Sequence, residues 1–205
     1  YKMTRIIFVR HGQTIWNNLG KYQGHTDIPL STVGIIQAQK TAQRLAKENI
    51  VAIYSSDLMR ARQTAEIIGS KHNLAINYSK DLREINFGHW EGKTYQEIEK
   101  EDPQLLQQWI EDPEKLKIPD GETFSELRDR AFRVINDILA KHDQETVLVV
   151  AHGGTISTIL CKVLGMDLKN MWQIKQSNSA ISIIEFYDKK GIVTSFNDTY
   201  HLDVC

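Results

Sequence analysis

Two apolar runs that each end in a His-Gly pair constrain the fold of this chain most strongly. Residues 6–9 (IIFV) lie just before His11, and residues 147–150 (VLVV) lie just before His152, with glycine next in both cases. Such runs of mostly β-branched residues are typical of strands buried on both faces of a parallel sheet. Parallel strands collect their carboxyl ends at one edge, where ligands bind. The pattern therefore predicts that both histidines face one crevice.

Helical and strand patterns alternate along the rest of the chain. Further strands are predicted at residues 51–54, 74–78, 181–187 and 192–196. Helices are predicted at residues 31–49, 57–68, 123–139 and 156–164, with Ser31 as one N-cap and a capping box beginning at Thr123. The alternation predicts an α/β three-layer sandwich, in which helices cover both faces of a mostly parallel central sheet.

The length and composition are those of one globular domain spanning residues 1–205. The chain is 41% hydrophobic, which suffices for a single sizeable core. Three of the four prolines fall between residues 88 and 121 and break that stretch into short helical pieces. We therefore expect a helical insertion at about residues 88–121, lying over the active-site edge of the sheet.

The charge balance argues against binding to nucleic acid or to anionic membranes. Lysine and arginine number 25 and aspartate and glutamate 26, so that no bulk attraction toward polyanions exists and any anion site must be local. The two cysteines, Cys161 and Cys205, make no disulfide framework. No apolar run reaches the roughly 18 residues of a membrane span. These features predict a cytoplasmic protein without nucleic-acid or membrane partners, and they leave a homodimer open.

Candidate anion-binding residues follow three of the predicted strands. His11 and His152 each precede a glycine that lets the backbone turn sharply, and Arg60 begins the helix after the strand at residues 51–54. A helix N-terminus after each His-Gly pair would add unpaired N–H groups. Taken singly, a His-Gly pair is more often a plain turn, and an arginine is more often solvated; we expect Arg62 to be salt-bridged or solvated. Two such turns with Arg10 beside one of them favour phosphate binding.

Other catalytic motifs are absent or incomplete. Residues 88–94 (GHWEGKT) resemble a nucleotide-binding P-loop but have three residues between the glycines instead of four, and no apolar strand precedes them. The sequence contains neither an H-E-x-x-H zinc motif nor the G-x-S-x-G elbow of serine hydrolases. No metal and no cofactor are therefore expected.

The order of the remaining motifs resembles the histidine phosphatase superfamily, also called phosphoglycerate mutase-like, over nearly the whole chain. The motifs are RHGQT at residues 10–14, Asn17, QG at 23–24, SSDLMR at 55–60, the L-x-E-x-x-x-G-x-W-E-G run at 82–92, and AHGG at 151–154. The resemblance implies that His11 is the phosphorylated nucleophile, that Arg10, Arg60 and His152 bind the phosphoryl group, and that Glu84 is the proton donor. It further implies phosphate or substrate contacts from Asn17, Gln23, Gly24 and Gly153.

Elementary chemistry agrees with these roles. A neutral imidazole is a good nucleophile near pH 7, and guanidinium groups with a protonated His152 suit the charge that spreads over a transferring phosphoryl group. Without the resemblance, Glu84 would be interpreted as a surface carboxylate paired with Arg83. Trp16, Tyr22, Trp90 and Trp109 are candidates for a substrate wall or for core packing.

The family contains several activities, among which the sequence favours one. We expect a phosphomonoester hydrolase that uses a phosphohistidine intermediate on a small phosphorylated metabolite, because residues 88–121 lack the arginine pair and proline-rich segment typical of mutases. Residues 82–92 resemble the broad-specificity, phosphoserine and α-ribazole phosphatase branches, and N-x-T-x-H-L at residues 197–202 resembles the latter two. The alternatives are a cofactor-dependent phosphoglycerate mutase and, more remotely, a non-catalytic module that binds phosphorylated ligands.

Overall fold

A six-stranded sheet forms the centre of the computed structural model, which describes residues 2–203. The strands are β1 (Met3–Arg10), β2 (Ile50–Ser56), β3 (Ile76–Ser79), β4 (Thr146–Ala151), β5 (Ile181–Tyr187) and β6 (Lys190–Asp198). Their spatial order is β3-β2-β4-β1-β5-β6, and β5 alone runs against the others. The sheet is therefore mostly parallel, as the apolar runs predict.

Helices cover both faces of this sheet. They are α1 (Ile15–Asn18), α2 (Thr32–Leu45), α3 (Met59–Gly69), α4 (Tyr95–Glu101), α5 (Pro103–Glu111), α6 (Phe124–Lys141), α7 (Gly153–Leu164) and α8 (Tyr200–Asp203). Ser31 caps α2, and Thr123 forms the predicted capping box with Glu126 at the start of α6. The side-chain alternation of β1 explains the layering, because successive residues of a strand point to opposite faces. Ile6 and Phe8 pack with α6 and α7, whereas Ile7 and Val9 pack with α2 and α3.

The predicted and observed elements differ mainly at their ends. The strand predicted at residues 74–78 is β3 at Ile76–Ser79, and the last strand begins at Lys190 rather than at residue 192. The expectation of a helix N-terminus directly after both His-Gly pairs is half wrong. It holds for α7, which starts at Gly153, but after His11 the chain forms only the one-turn α1, capped by Thr14.

Residues 88–121 hold a short 3₁₀ turn at Gly88–Trp90 and the helices α4 and α5. Apolar side chains of this segment, among them Trp90 and Trp109, form a buried cluster separate from the clusters on the two sheet faces. Phe124 at the start of α6 and Met171 after α7 belong to the same cluster. This cluster packs beside the carboxyl edge of the sheet. The segment therefore reaches the place where the predicted site residues lie.

Two further expectations concern the cysteines and the membrane. Cys161 is a free, buried thiol in α7, and Cys205 lies outside the described residues. Between residues 2 and 203, no helix is long and apolar enough to cross a lipid bilayer.

Candidate active site

A cavity of about 480 Å³ opens at the carboxyl edge of the parallel strands. Eight of the nine predicted site residues line it: Arg10, His11, Asn17, Gln23, Gly24, Arg60, Glu84 and Gly153. The ninth, His152, is fully buried directly behind His11, and the two ring centroids are 5.2 Å apart. The structure therefore brings together all of the residues on which the sequence analysis converged.

His11 sits on the turn after β1 with only 2% of its surface exposed. Its Nδ1 lies 2.7 Å from the carbonyl oxygen of Gly12, so that a neutral ring holds its proton on Nδ1 and presents Nε2 as a base. Burial and the charges of Arg60 and Arg10 hold the pKa of His11 well below its usual value of 6.5. The arrangement keeps the His11 imidazole neutral, with Nε2 unprotonated.

The turn that carries His11 requires glycine on both sides of a close backbone contact. A side chain at Gly12 would approach the Gly34 carbonyl oxygen to 2.4 Å, and one at Gly34 would approach the Gln13 carbonyl oxygen to 2.0 Å. The Gly12 amide donates to Oγ1 of Thr64 over 3.1 Å. The first turn of α2 and the middle of α3 thus fix the turn behind the imidazole.

His152 is held by a residue to which the sequence analysis gave no role. Its Nε2 lies 2.8 Å from Oγ of Ser56 at the end of β2, while its Nδ1 is buried without a hydrogen bond. Burial and the Arg60 charge hold the pKa of His152 well below 6.5. Burial beside a guanidinium therefore favours a neutral His152 in the free site, and a protonated His152 around a transferring phosphoryl group stays a prediction.

Arg60 is a buried cation in the first turn of α3, with 1% of its surface exposed. Its guanidinium donates to the carbonyl oxygens of Gly24 over 2.7 Å and Thr26 over 3.0 Å. Burial lowers its pKa to about 10, which still leaves it charged at neutral pH. The carboxylate of Glu91 accepts hydrogen bonds from the backbone amides of His25 and Thr26 and so fixes the loop that receives Arg60.

Arg10, at the end of β1, is partly buried and donates through Nη1 to the carbonyl oxygen of Gln176. The Nε atoms of Arg10 and Arg60 are both buried without a hydrogen-bond acceptor. Among residues 2–203 neither guanidinium forms an ion pair with a carboxylate. Two cations without a direct ion pair thus lie beside the neutral imidazole of His11, and Glu84 acts on both only at longer range, which is an arrangement suited to an oxyanion.

Glu84 lies between the cavity and the N-terminus of α7. Its carboxylate accepts hydrogen bonds from the amides of Gly154 (2.9 Å), Thr155 (3.2 Å) and Ile85 (2.9 Å). It does not pair with Arg83, whose guanidinium makes a two-point contact with Asp57 at 2.6 and 2.7 Å. The interpretation of Glu84 as a surface partner of Arg83 is therefore wrong. Backbone amides at the start of α7 hold its carboxylate instead.

The predicted accessory residues lie on the same wall. Asn17 accepts from the Thr14 amide over 3.0 Å and from Nδ2 of Asn178 over 3.2 Å, whereas Oε1 of Gln23 accepts from the Thr14 hydroxyl over 2.8 Å. Gly24 contributes its carbonyl oxygen to Arg60, and the Cα of Gly153 faces the Arg10 guanidinium. Arg62 points away from the cavity and pairs with Glu66 at 3.8 Å, as expected.

Aromatic side chains form much of the remaining wall of the cavity, and Tyr95 and Trp172 are its exposed members. Of the four aromatic residues singled out in the sequence, Tyr22 and Trp109 line the cavity, whereas Trp90 belongs to the core and Trp16 packs near Gly92. Phe87, Tyr95, Phe124 and Trp172 also line it. Trp172 packs against Trp109 in a tilted arrangement, with 4.7 Å between ring centroids and 51° between the ring planes. The cavity is therefore polar and cationic at its base and aromatic at its mouth.

The loop that precedes β5 also belongs to the site, although the sequence did not predict it. Gln176 lines the cavity, and its backbone holds Arg10. Asn178 donates to the carbonyl oxygen of His11 over 3.1 Å. The only sequence signal was a polar stretch, QSNS at residues 176–179, which is also typical of an ordinary surface turn. Within the described part of the chain, no group of three or more His, Cys, Asp or Glu side chains is arranged to hold a metal ion.

Comparison with known proteins agrees with this geometry. The sequence matches the histidine phosphatase superfamily (branch 1) over residues 6–199. Phosphoserine phosphatase 1 of Hydrogenobacter thermophilus is 32% identical over 200 residues, which cover 98% of this chain and 95% of that protein. A Yersinia pestis protein named "Probable phosphoglycerate mutase GpmB" is 32% identical, with 98% and 96% covered. The structure of an Entamoeba histolytica phosphoserine phosphatase in complex with 3-phosphoglyceric acid has a TM-score of 0.88 and 32% identity, with 97% and 99% covered.

Proposed function

The chain belongs to branch 1 of the histidine phosphatase superfamily and is a phosphomonoester hydrolase, and we propose that it acts on small phosphorylated metabolites with His11 as the nucleophile. One observation supports the assignment of these roles to particular residues. Arg10 and Arg60 form no direct ion pair with a carboxylate within the described chain, and both line the cavity beside a neutral His11. A phosphate group offers both guanidinium groups the direct charge-assisted hydrogen bonds that no carboxylate of the described chain makes.

The first half-reaction transfers the phosphoryl group to the protein. Nε2 of His11 attacks phosphorus, the bond from phosphorus to the ester oxygen breaks, and a protonated Glu84 gives its proton to the departing alkoxide. Arg10 and Arg60 stabilise the charge on the equatorial oxygens. His152 donates a hydrogen bond from Nδ1 to the same oxygens, while its Nε2 stays beside the Ser56 hydroxyl. The products are an alcohol and a phosphohistidine.

The second half-reaction returns the enzyme to its starting state. Glu84, now a carboxylate, removes a proton from water while the oxygen attacks the phosphohistidine, and the bond between phosphorus and Nε2 breaks. Inorganic phosphate leaves. A mutase would instead use a second organic hydroxyl as acceptor. The hydrolase is favoured because the outer cavity is aromatic: Lys21 is its only cation beyond Arg10 and Arg60 among the lining residues.

The substrate class follows from the two ends of the cavity. The cationic base suits one phosphate group, and the aromatic mouth suits a small organic part. The E. histolytica relative bound to 3-phosphoglyceric acid supports phosphorylated three-carbon acids as candidates. We further propose a cytoplasmic protein with no nucleic-acid or membrane partner, which is consistent with the net charge of −1. The homodimer stays a prediction, to be tested by light scattering during size-exclusion chromatography.

Hydrolysis is tested by phosphate release from phosphoserine, 3-phosphoglycerate and p-nitrophenyl phosphate in the presence of EDTA. We expect turnover that His11→Ala abolishes, and an acid-labile label on His11 after a quench with ³²P-labelled substrate. Binding of inorganic phosphate without turnover would favour the non-catalytic module. Rapid interconversion of 3- and 2-phosphoglycerate in the presence of a trace of 2,3-bisphosphoglycerate, without phosphate release, would favour the mutase.

A further inference from the structure

The polar motif near the carboxyl end, N-x-T-x-H-L at residues 197–202, is not explained by any contact with the cavity. None of its residues lines the cavity. Asn197 nevertheless adopts a left-handed backbone conformation, with φ of +46°, at an irregularity in the pairing of β5 with β6. Asparagine is one of the few residues other than glycine that tolerates this conformation. The backbone of Asn197 therefore has a conformation that few other residues could adopt.

The side chain of Asn197 contacts the loop formed by residues 176–179, which we call the arginine-support loop. Oδ1 of Asn197 accepts a hydrogen bond from the Ser177 amide over 2.7 Å, and the Asn197 amide donates to Oγ of Ser182 over 3.0 Å. The peptide group that carries the Ser177 amide also carries the Gln176 carbonyl. Because a peptide group is planar, fixing its N–H on one side fixes the direction of its C=O on the other.

The Gln176 carbonyl is the acceptor for Nη1 of Arg10. The same loop reaches the nucleophile, because the Ser179 amide donates to the carbonyl oxygens of Arg10 (3.0 Å) and His11 (3.2 Å). A continuous set of hydrogen bonds thus runs from Asn197 through one peptide group to the guanidinium. Among the described residues, no other side chain accepts a hydrogen bond from the Ser177 amide.

We propose that Asn197 is a positioning residue for the phosphoryl site, which it serves by orienting the Gln176–Ser177 peptide group that holds Arg10. The inference rests on the proposed function for its catalytic meaning. Its consequence for binding does not depend on turnover, because Asn197 sets the affinity of the cavity for a tetrahedral oxyanion. His201 has a different part, because its Nε2 lies 3.0 Å from Oγ1 of Thr41 and attaches α8 to α2.

The test is the affinity for inorganic phosphate, measured by calorimetry, together with kcat and KM for p-nitrophenyl phosphate. Asn197→Gly keeps the left-handed backbone but removes the acceptor. We expect it to weaken phosphate binding and to lower kcat/KM by roughly fivefold to tenfold, the effect of losing one buried hydrogen bond. Asn197→Asp keeps the acceptor and should recover most of this loss. Asn73→Gly is the matched control, since Asn73 is an exposed asparagine with φ of +53° far from the loop.

A double-mutant cycle separates positioning from a general effect on the fold. In an Arg10→Met background, Asn197→Gly should change phosphate affinity by less than about twofold, because the group that it positions is gone. Equal losses in both backgrounds, or unchanged phosphate affinity in folded Asn197→Gly, would overturn the proposal. Should Asn197→Gly fail to fold, Ser182→Ala loosens the same residue from its other side and should lower phosphate affinity in the same direction. Phosphate binding without any turnover in the wild type would count against the proposed function and leave this inference testable.

Discussion

The Gly154 amide in the first turn of α7 donates to the carboxylate of Glu84 over 2.9 Å. The Thr155 amide donates to the other carboxylate oxygen over 3.2 Å. A helix begins with unpaired N–H groups, and here a side chain from a distant loop satisfies two of them. The first turn of α7 therefore holds the carboxylate of Glu84, the proposed proton donor. The same stretch of backbone carries His152, so it fixes the positions of both side chains.

The first prediction concerns Glu84→Gln, which keeps an acceptor for the α7 amides but removes the exchangeable proton. We expect kcat for an alkyl phosphate to fall by about 10² to 10⁴, the usual worth of a general acid. The loss should be much smaller for p-nitrophenyl phosphate, whose leaving group needs little protonation. Steady-state rates with both substrates measure this difference.

Glu111→Gln is the control for this change, since Glu111 is an exposed carboxylate at the end of α5. It should leave both rates at the wild-type level. Equal losses for the two leaving groups in Glu84→Gln would argue against proton donation by Glu84.

The second prediction concerns the pH dependence. The pKa of His11 is lowered by burial and by Arg60 and Arg10, so the neutral form of the proposed nucleophile persists below pH 6.5 and is lost only as pH falls further through the lowered pKa. Arg60→Met removes a positive charge and should raise the pKa of His11. NMR titration of ¹³C-labelled histidine should detect this rise. An unchanged or lower His11 pKa in the variant would contradict the electrostatic explanation.

The same shifts affect stability. The folded-state pKa values of His11 and His152 both lie below their unfolded value, so the unfolded chain binds more protons as pH falls through 6.5. We expect the free energy of unfolding to decrease with falling pH in this range. His152→Asn should make the decrease shallower in urea titrations, and an unchanged slope would contradict the assignment of a depressed pKa to His152.

The third prediction compares two adjacent glycines at the start of α7. A Cβ at Gly154 would lie 2.5 Å from Oε1 of Glu84, whereas one at Gly153 would lie 3.4 Å from Nε of Arg10. Gly154→Ala must therefore displace the carboxylate, and we expect kcat to fall on the order of 10²-fold, as a misplacement of about 1 Å does elsewhere. Gly153→Ala should have a smaller effect, seen mainly as weaker phosphate binding.

Both substitutions introduce alanine into the same helical turn, so their propensity effects are matched. Thermal unfolding checks that each variant is folded before its rates are compared. A wild-type kcat in Gly154→Ala would show that Glu84 needs no fixed position.

The sequence predicted the sheet, and the convergence of the candidate site residues at its edge, because the signals for both are local. The runs before His11 and His152 are continuous apolar segments, and parallel strands must bring their ends to one edge. The partners of these residues could not be predicted in the same way. Ser56 contacts His152 across 96 positions, and Gln176 contacts Arg10 across 166 positions. Nothing in a polar residue's own neighbourhood shows which distant group it will meet, and the charge state of His152 depends on such burial.

The last prediction concerns the aromatic mouth of the cavity. Trp172 is 44% exposed and packs on Trp109, so its removal opens the wall without emptying the core. For Trp172→Ala we expect kcat/KM to fall roughly fivefold to tenfold for phenyl phosphate, in line with the worth of one aromatic contact, and to change little for glycerol phosphate. Inhibition by inorganic phosphate should be unaffected, because the anion is held at the base by Arg10 and Arg60. Tyr200→Ala is the control, since Tyr200 is an aromatic residue that is 77% exposed and does not line the cavity. Equal losses for the two esters would mean that Trp172 supports the fold of the site instead of contacting the organic part of the substrate.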